Sequence, residues 1–97
     1  MEQNKSTAIS TVLLELKSLG YFRIHDISRE KDSHLFFEAD GKQRNILLRV
    51  AISESTETTK LSKPERMSLQ RKASDSDREP WAAVVNPAGR ISWELVV

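Results

Sequence analysis

His34-Leu35-Phe36-Phe37-Glu38-Ala39, the turn signal Asp40-Gly41, and Asn45-Ile46-Leu47-Leu48-Arg49-Val50-Ala51-Ile52-Ser53 read as two strands joined by a hairpin. In the second strand Ile46, Leu48, Val50 and Ile52 share one face, while Leu47, Arg49 and Ala51 share the other. Both faces are largely apolar. That pattern suits a strand inside a sheet, covered on at least one side and flanked by partners.

Upstream, Ile9, Val12, Leu13, Leu16 and Leu19 fall on one stripe of a helix over 6–19. Ser6 or Thr7 can cap its start, and Gly20 suits a left-handed C-terminal cap. Tyr21, Phe22, Ile24 and Ile27 predict a strand over roughly 21–28, followed by a polar corner at 29–33. Downstream, residues 53–60 have no apolar member and predict a mobile loop, as residues 1–5 predict a flexible N-terminus. Ser62 and Glu65 form a capping box with Pro64 inside it. The helix they start is expected to reach about residue 73, with Met67, Leu69 and Ala73 as its few apolar contacts. Residues 74–79 are a polar connection. Pro80 introduces a strand, Trp81-Ala82-Ala83-Val84-Val85, and 86–89 is a turn. The returning strand over 90–97 should place Ile91, Trp93, Leu95 and Val97 inward. The order is αβββαββ, an α+β or α/β single domain over 1–97 with a mixed central sheet flanked by two helices.

Composition narrows the function classes. Fifteen Lys and Arg against fourteen Asp and Glu give a net charge of +1, so no whole-chain field points to nucleic acid or membrane. The absence of cysteine excludes a disulfide scaffold, a thiolate metal site and a Cys nucleophile. Three glycines, all at punctuation positions, leave no phosphate-cradling loop, and there is no G-x-S-x-G elbow. No apolar run spans a bilayer and no signal-peptide core opens the chain, so a cytoplasmic location without a membrane partner is expected.

The largest local charge imbalance is Lys60, Lys63, Arg66, Arg71 and Lys72 against Glu65. Cations along a helix can engage nucleic-acid phosphates. The more ordinary reading is a solvated helix face. His25 and His34 lack a convergent set of further ligands, so no metal or cofactor is expected. Trp81 and Trp93 could stack bases, but their apolar neighbours favour core packing.

With the strands placed, residues 8–97 resemble the PD-(D/E)XK nuclease superfamily, especially small endonuclease and Holliday-junction-resolvase-like domains. The resemblance rests on Leu16-Lys17-Ser18-Leu19-Gly20-Tyr21, the hairpin 34–53, and the tail Pro80–Val85 with Gly89–Leu95. It implies a restriction-endonuclease-like core. In that superfamily an Asp and a Glu hold a divalent cation and a Lys assists the attacking water. Those positions fall here on His34, Arg49 and Ala51, so the catalytic motif is not retained and no catalytic residue is assigned. The resemblance implies a non-catalytic nuclease-fold module that binds DNA or RNA or acts as a scaffold, with Arg49 open to a phosphate or a partner's carboxylate. A protein-interaction domain with no nucleic-acid role is the alternative. A third is a metal-dependent nuclease with a site rebuilt from Asp32, Glu38 or Asp40 with His34.

Overall fold

A computed structural model describes residues 5–29, 34–52 and 61–96, with Lys5 and Ser6 described by their backbone alone. The expected mobile loop 53–60, Lys60, Asp32 and the first four residues lie outside the described residues. The elements are α1 (Lys5–Ser18), β1 (Arg23–Asp26), β2 (Leu35–Asp40), β3 (Asn45–Ile52), α2 (Lys63–Asp75), β4 (Glu79–Val85) and β5 (Ile91–Leu95). They form a small α+β domain in the expected αβββαββ order.

The five strands form one mixed sheet in the order β1-β2-β3-β4-β5. Only β3 and β4 are parallel, with Leu48 opposite Trp81 and Val50 opposite Ala83. A parallel neighbour cannot be reached by a tight turn, so the chain crosses over through α2. Strand β3 is central, and its alternating side chains feed two cores. Ile46, Leu48 and Val50 pack with Leu35, Phe37, Ala39, Ala83 and Val85 beneath Ala8, Val12 and Leu16 of α1. Leu47 points the other way and packs with Ala82, Val96 and with Leu69 and Ala73 of α2.

Helix α1 ends because Gly20 takes φ +98, where a side chain is strained. The N–H of Tyr21 donates to the carbonyl of Leu16 (3.1 Å) and that of Gly20 to Lys17 (3.1 Å), a Schellman cap. Leu19, expected in the buried stripe, lies beyond the last helical residue and is exposed. Ala8, Val12 and Leu16, four residues apart, form the buried line instead. Beyond the cap, Tyr21 lies against Gly41, where an added Cβ would meet its ring at 3.0 Å.

Strand β1 is shorter than expected. Its ladder continues at both ends, with Phe22 N–H donating to Asp40 O (3.0 Å) and Ile27 N–H to Phe36 O (2.9 Å). It stops where Asp26 Oδ1 accepts from Ser28 N–H (2.9 Å) and the Ser28 hydroxyl accepts from Phe36 N–H (2.8 Å). These local side-chain bonds replace the ladder.

Two packing expectations need correction. Met67 is 54% exposed, because it lies two residues, some 200° of helix, from Leu69. Leu95 is 41% exposed although it shares a face with Trp93. Strand β5 is an edge strand, and its margin has neighbours on one side only. Val96 is fully buried instead, on the α2 side, its N–H donating to Pro80 O (2.9 Å). Val97 lies outside the described residues.

Gly20→Ala should lower stability by about 1–2 kcal/mol through the left-handed backbone alone. A Cβ there meets nothing within 4 Å. Urea unfolding is expected to show a lower midpoint with an unchanged m-value.

Candidate functional site

His34, Arg49 and Ala51 share the α2 side of the sheet. Phe36 stands opposite Arg49, and Leu35 opposite Val50. The alternation therefore carries Arg49 and Ala51 of β3 to the same face, and His34 precedes β2 beside them. The N-terminal turn of α2 closes over this end. Its Ser62 hydroxyl accepts from Glu65 N–H (3.3 Å), and Glu65 Oε1 accepts from Ser62 N–H (2.9 Å). The capping box predicted from Ser62, Pro64 and Glu65 is thus formed.

The second oxygen of Glu65 completes the cluster. Arg49 Nη2 donates to Glu65 Oε2 at 2.7 Å, and Arg49 is only 8% exposed. A guanidinium placed in the middle of a covered strand must lose water, and the carboxylate replaces it. Burial lowers the Arg49 pKa, and the charge of Glu65 opposes that shift. Glu65 is held below its ordinary value chiefly by the Ser62 backbone and hydroxyl bonds, with Arg49 and His34 adding to them. His34 Nε2 lies 4.0 Å from Glu65 Oε2, too far for a hydrogen bond. Burial first, and Arg49 second, push His34 below its ordinary value. His34 is therefore neutral near pH 7, and the Arg49–Glu65 pair carries the charge balance.

Chemically, this corner offers one carboxylate already engaged by a cation, a neutral imidazole and a methyl group. Glu38 and Asp40, the acids considered for a rebuilt metal site, are engaged elsewhere. Arg78 Nη1 donates to Asp40 Oδ1 at 2.7 Å and to the Ala39 carbonyl at 3.2 Å. Its Nε lies 3.5 Å from Glu38 Oε2. Among the described residues, no group of three or more His, Cys, Asp or Glu side chains could hold a metal ion.

The expected basic stripe divides. Arg66 donates to Glu94 Oε2 at 2.8 Å and ties α2 to β5. Lys72 Nζ lies 4.1 Å over the Phe36 ring, a cation–π contact that leaves the side chain at the surface. Lys63 and Arg71 are exposed, with Met67 between them along the helix. His25 is exposed on β1, apart from His34.

The residue that sequence reading passed over is Arg78, placed within a polar connection. It follows Asp77, whose φ of 56 turns the chain at the end of α2. The available signal was the alternation of β2, which puts Phe36, Glu38 and Asp40 on one face and so calls for a nearby cation.

No protein-family model matches this chain, and no curated protein matches it.

The site predicts two steps of acid destabilisation. His34 and Glu65 both have folded-state pKa values below their unfolded ones, so each stabilises the fold above its unfolded pKa and loses that contribution as pH falls. The first loss starts in the ordinary histidine range and the second in the carboxylate range. His34→Asn should remove the upper step from a plot of unfolding free energy against pH. Glu65→Gln should remove the lower one and cost about 1–2 kcal/mol at pH 7, less than for a fully buried pair, because Glu65 is 41% exposed.

Proposed function

We propose that this chain is a non-catalytic, nuclease-like domain that serves as a nucleic-acid-binding or scaffolding module. The observation that carries this reading is the shared face of His34, Arg49 and Ala51 under the start of α2. Their order along the chain follows the Asp, Glu and Lys of the PD-(D/E)XK pattern, and a restriction-endonuclease-like core is part of the proposal. The chemistry at these positions is inverted. A divalent cation needs several anionic oxygens, and here a buried guanidinium occupies the middle of the site. Arg49 then acts as a strut for α2, and phosphate contact falls to the exposed Lys63, Arg71 and Lys72.

A protein-interaction role is the second reading. Arg49, Arg66 and Arg78 all bond to carboxylates of the same chain. The net charge of +1 then leaves little free positive surface.

Amide-shift titration with duplex and branched DNA at low and moderate salt separates the two. Binding through three helix cations should give salt-sensitive shifts along α2 and a slope of log K against log salt of about −3. Lys63→Ala should reduce that slope by about 1. A silent titration would retire nucleic-acid binding in favour of a protein partner.

Kinship with the nucleases has its own test. In Arg49→Glu/Ala51→Lys the carboxylate at position 49 joins Glu65 and His34. Mn²⁺ should raise the melting temperature of this variant and leave that of the natural chain unchanged. A folded variant indifferent to Mn²⁺ would count against the kinship.

A further inference from the structure

The sheet ends on β1 at one margin and on β5 at the other, and the two margins are built differently. Strand β1 is four residues long, carries Arg23, His25 and Asp26, and is closed off by the Asp26–Ser28 bond. Short length and charge keep an exposed edge from pairing. Strand β5 lacks this protection. It holds unbroken register with β4 over Ile91–Leu95, without proline or bulge, and three of its five residues are Ile91, Trp93 and Leu95.

The ladder shows which backbone groups β5 leaves open. Asn86 N–H donates to Arg90 O at 3.0 Å, and Val96 N–H donates to Pro80 O at 2.9 Å. Along an antiparallel strand, residues bonded to one neighbour alternate with residues whose N–H and C=O point away from it. Arg90, Ser92, Glu94 and Val96 therefore turn their backbone groups toward β4. Those of Ile91, Trp93 and Leu95 point outward, where no strand among the described residues receives them. The side chains sort the same way. Ile91 and Trp93 pack on the α1 side, whereas Glu94 bonds to Arg66 on the α2 side, the side that Arg90 and Ser92 share by alternation.

This edge is complementary to itself. Two copies of one strand pair antiparallel about a two-fold axis normal to the sheet, so opposite residues lie on a common face and the axis passes through one residue. With the axis at Ser92, Arg90 stands opposite the partner's Glu94, and Ile91 opposite the partner's Trp93, each pair occurring twice. Opposite charges and β-branched with aromatic side chains are favourable cross-strand pairs. Arg90 is exposed and joins no ion pair among the described residues. Glu94 uses only Oε2 on Arg66. An axis at Glu94 would set two carboxylates face to face, and an axis at Trp93 would set each charge opposite an uncharged residue.

We infer that β5 is a homodimer edge, pairing antiparallel with β5 of a second copy so that Arg90 and Glu94 bridge the two chains. The inference goes beyond both readings of function and depends on neither.

Sedimentation of the full chain between about 1 μM and about 1 mM is the test, since small edge interfaces are weak. A reversible monomer–dimer equilibrium is expected, and a monomer at every concentration overturns the inference. Arg90→Glu and Glu94→Arg should each weaken the dimer about tenfold by setting like charges opposite. An equimolar mixture of the two variants should recover it, because opposite charges then face each other again. Failure of the mixture, with both variants folded by circular dichroism, overturns the pairing. Glu94→Arg also loses the bond to Arg66, so Ile91→Pro provides a second measurement. It removes an N–H that no strand of the same chain uses, and should abolish the dimer while the circular dichroism of the monomer persists. A dimer that survives both Arg90→Glu and Ile91→Pro uses another surface and overturns the inference.

Discussion

Strand β3 is buried on both faces, and the rest of the molecule is arranged around that constraint. Its hydrogen-bonding edges are taken by β2 and β4, and its two rows of side chains require a helix on each side. Helix α1 supplies the first cover through a short line of small and branched residues, Ala8, Val12 and Leu16. The second cover has to come from the segment joining β3 to β4, because a parallel neighbour demands a crossover. Helix α2 is thereby both a connection and a lid, and its position follows from the topology.

The two covers differ in chemistry. The α1 side is a continuous apolar cluster. On the α2 side only Leu69 and Ala73 of the helix are buried, a contribution of a few kcal/mol at most from apolar area. Ion pairs complete the attachment. Arg49 reaches up from β3 to Glu65 at the start of α2, Arg66 reaches down to Glu94 of β5, and Arg78 beyond its end grips Glu38 and Asp40 of β2. Such pairs add modest net stability over apolar packing, yet removing one member leaves a costly charge behind. Their directionality fixes where α2 sits. Glu65 concentrates this role, because one carboxylate oxygen closes the helix cap and the other holds β3.

This arrangement bears on function through the cations it uses up. Positive charge that looks free along 60–72 in sequence divides into a strut to β5, a cation resting on Phe36 and two exposed side chains. The proposed nucleic-acid surface is accordingly narrow.

Much of the architecture was legible from local pattern. The 3.6-residue spacing around Val12 and Leu16, the glycine after the helix, the capping box at Ser62 and Glu65 and the doubly apolar 46–52 stretch each depend on neighbours close in sequence. They gave the element order and the central strand. Met67, Leu95 and the extent of β1 were misjudged, since which residues of an amphipathic or edge element are covered depends on what lies across from them. The same holds for the site. Strand alternation put Arg49 and Ala51 on one face, but the state of Arg49 depends on Glu65, sixteen residues on, and Glu38 and Asp40 depend on Arg78. Local hydrogen bonding and side-chain periodicity are written in the chain itself. Burial of a charge and the choice of its counter-ion are decided only when distant segments meet, because the cost of desolvation exists only in the packed molecule.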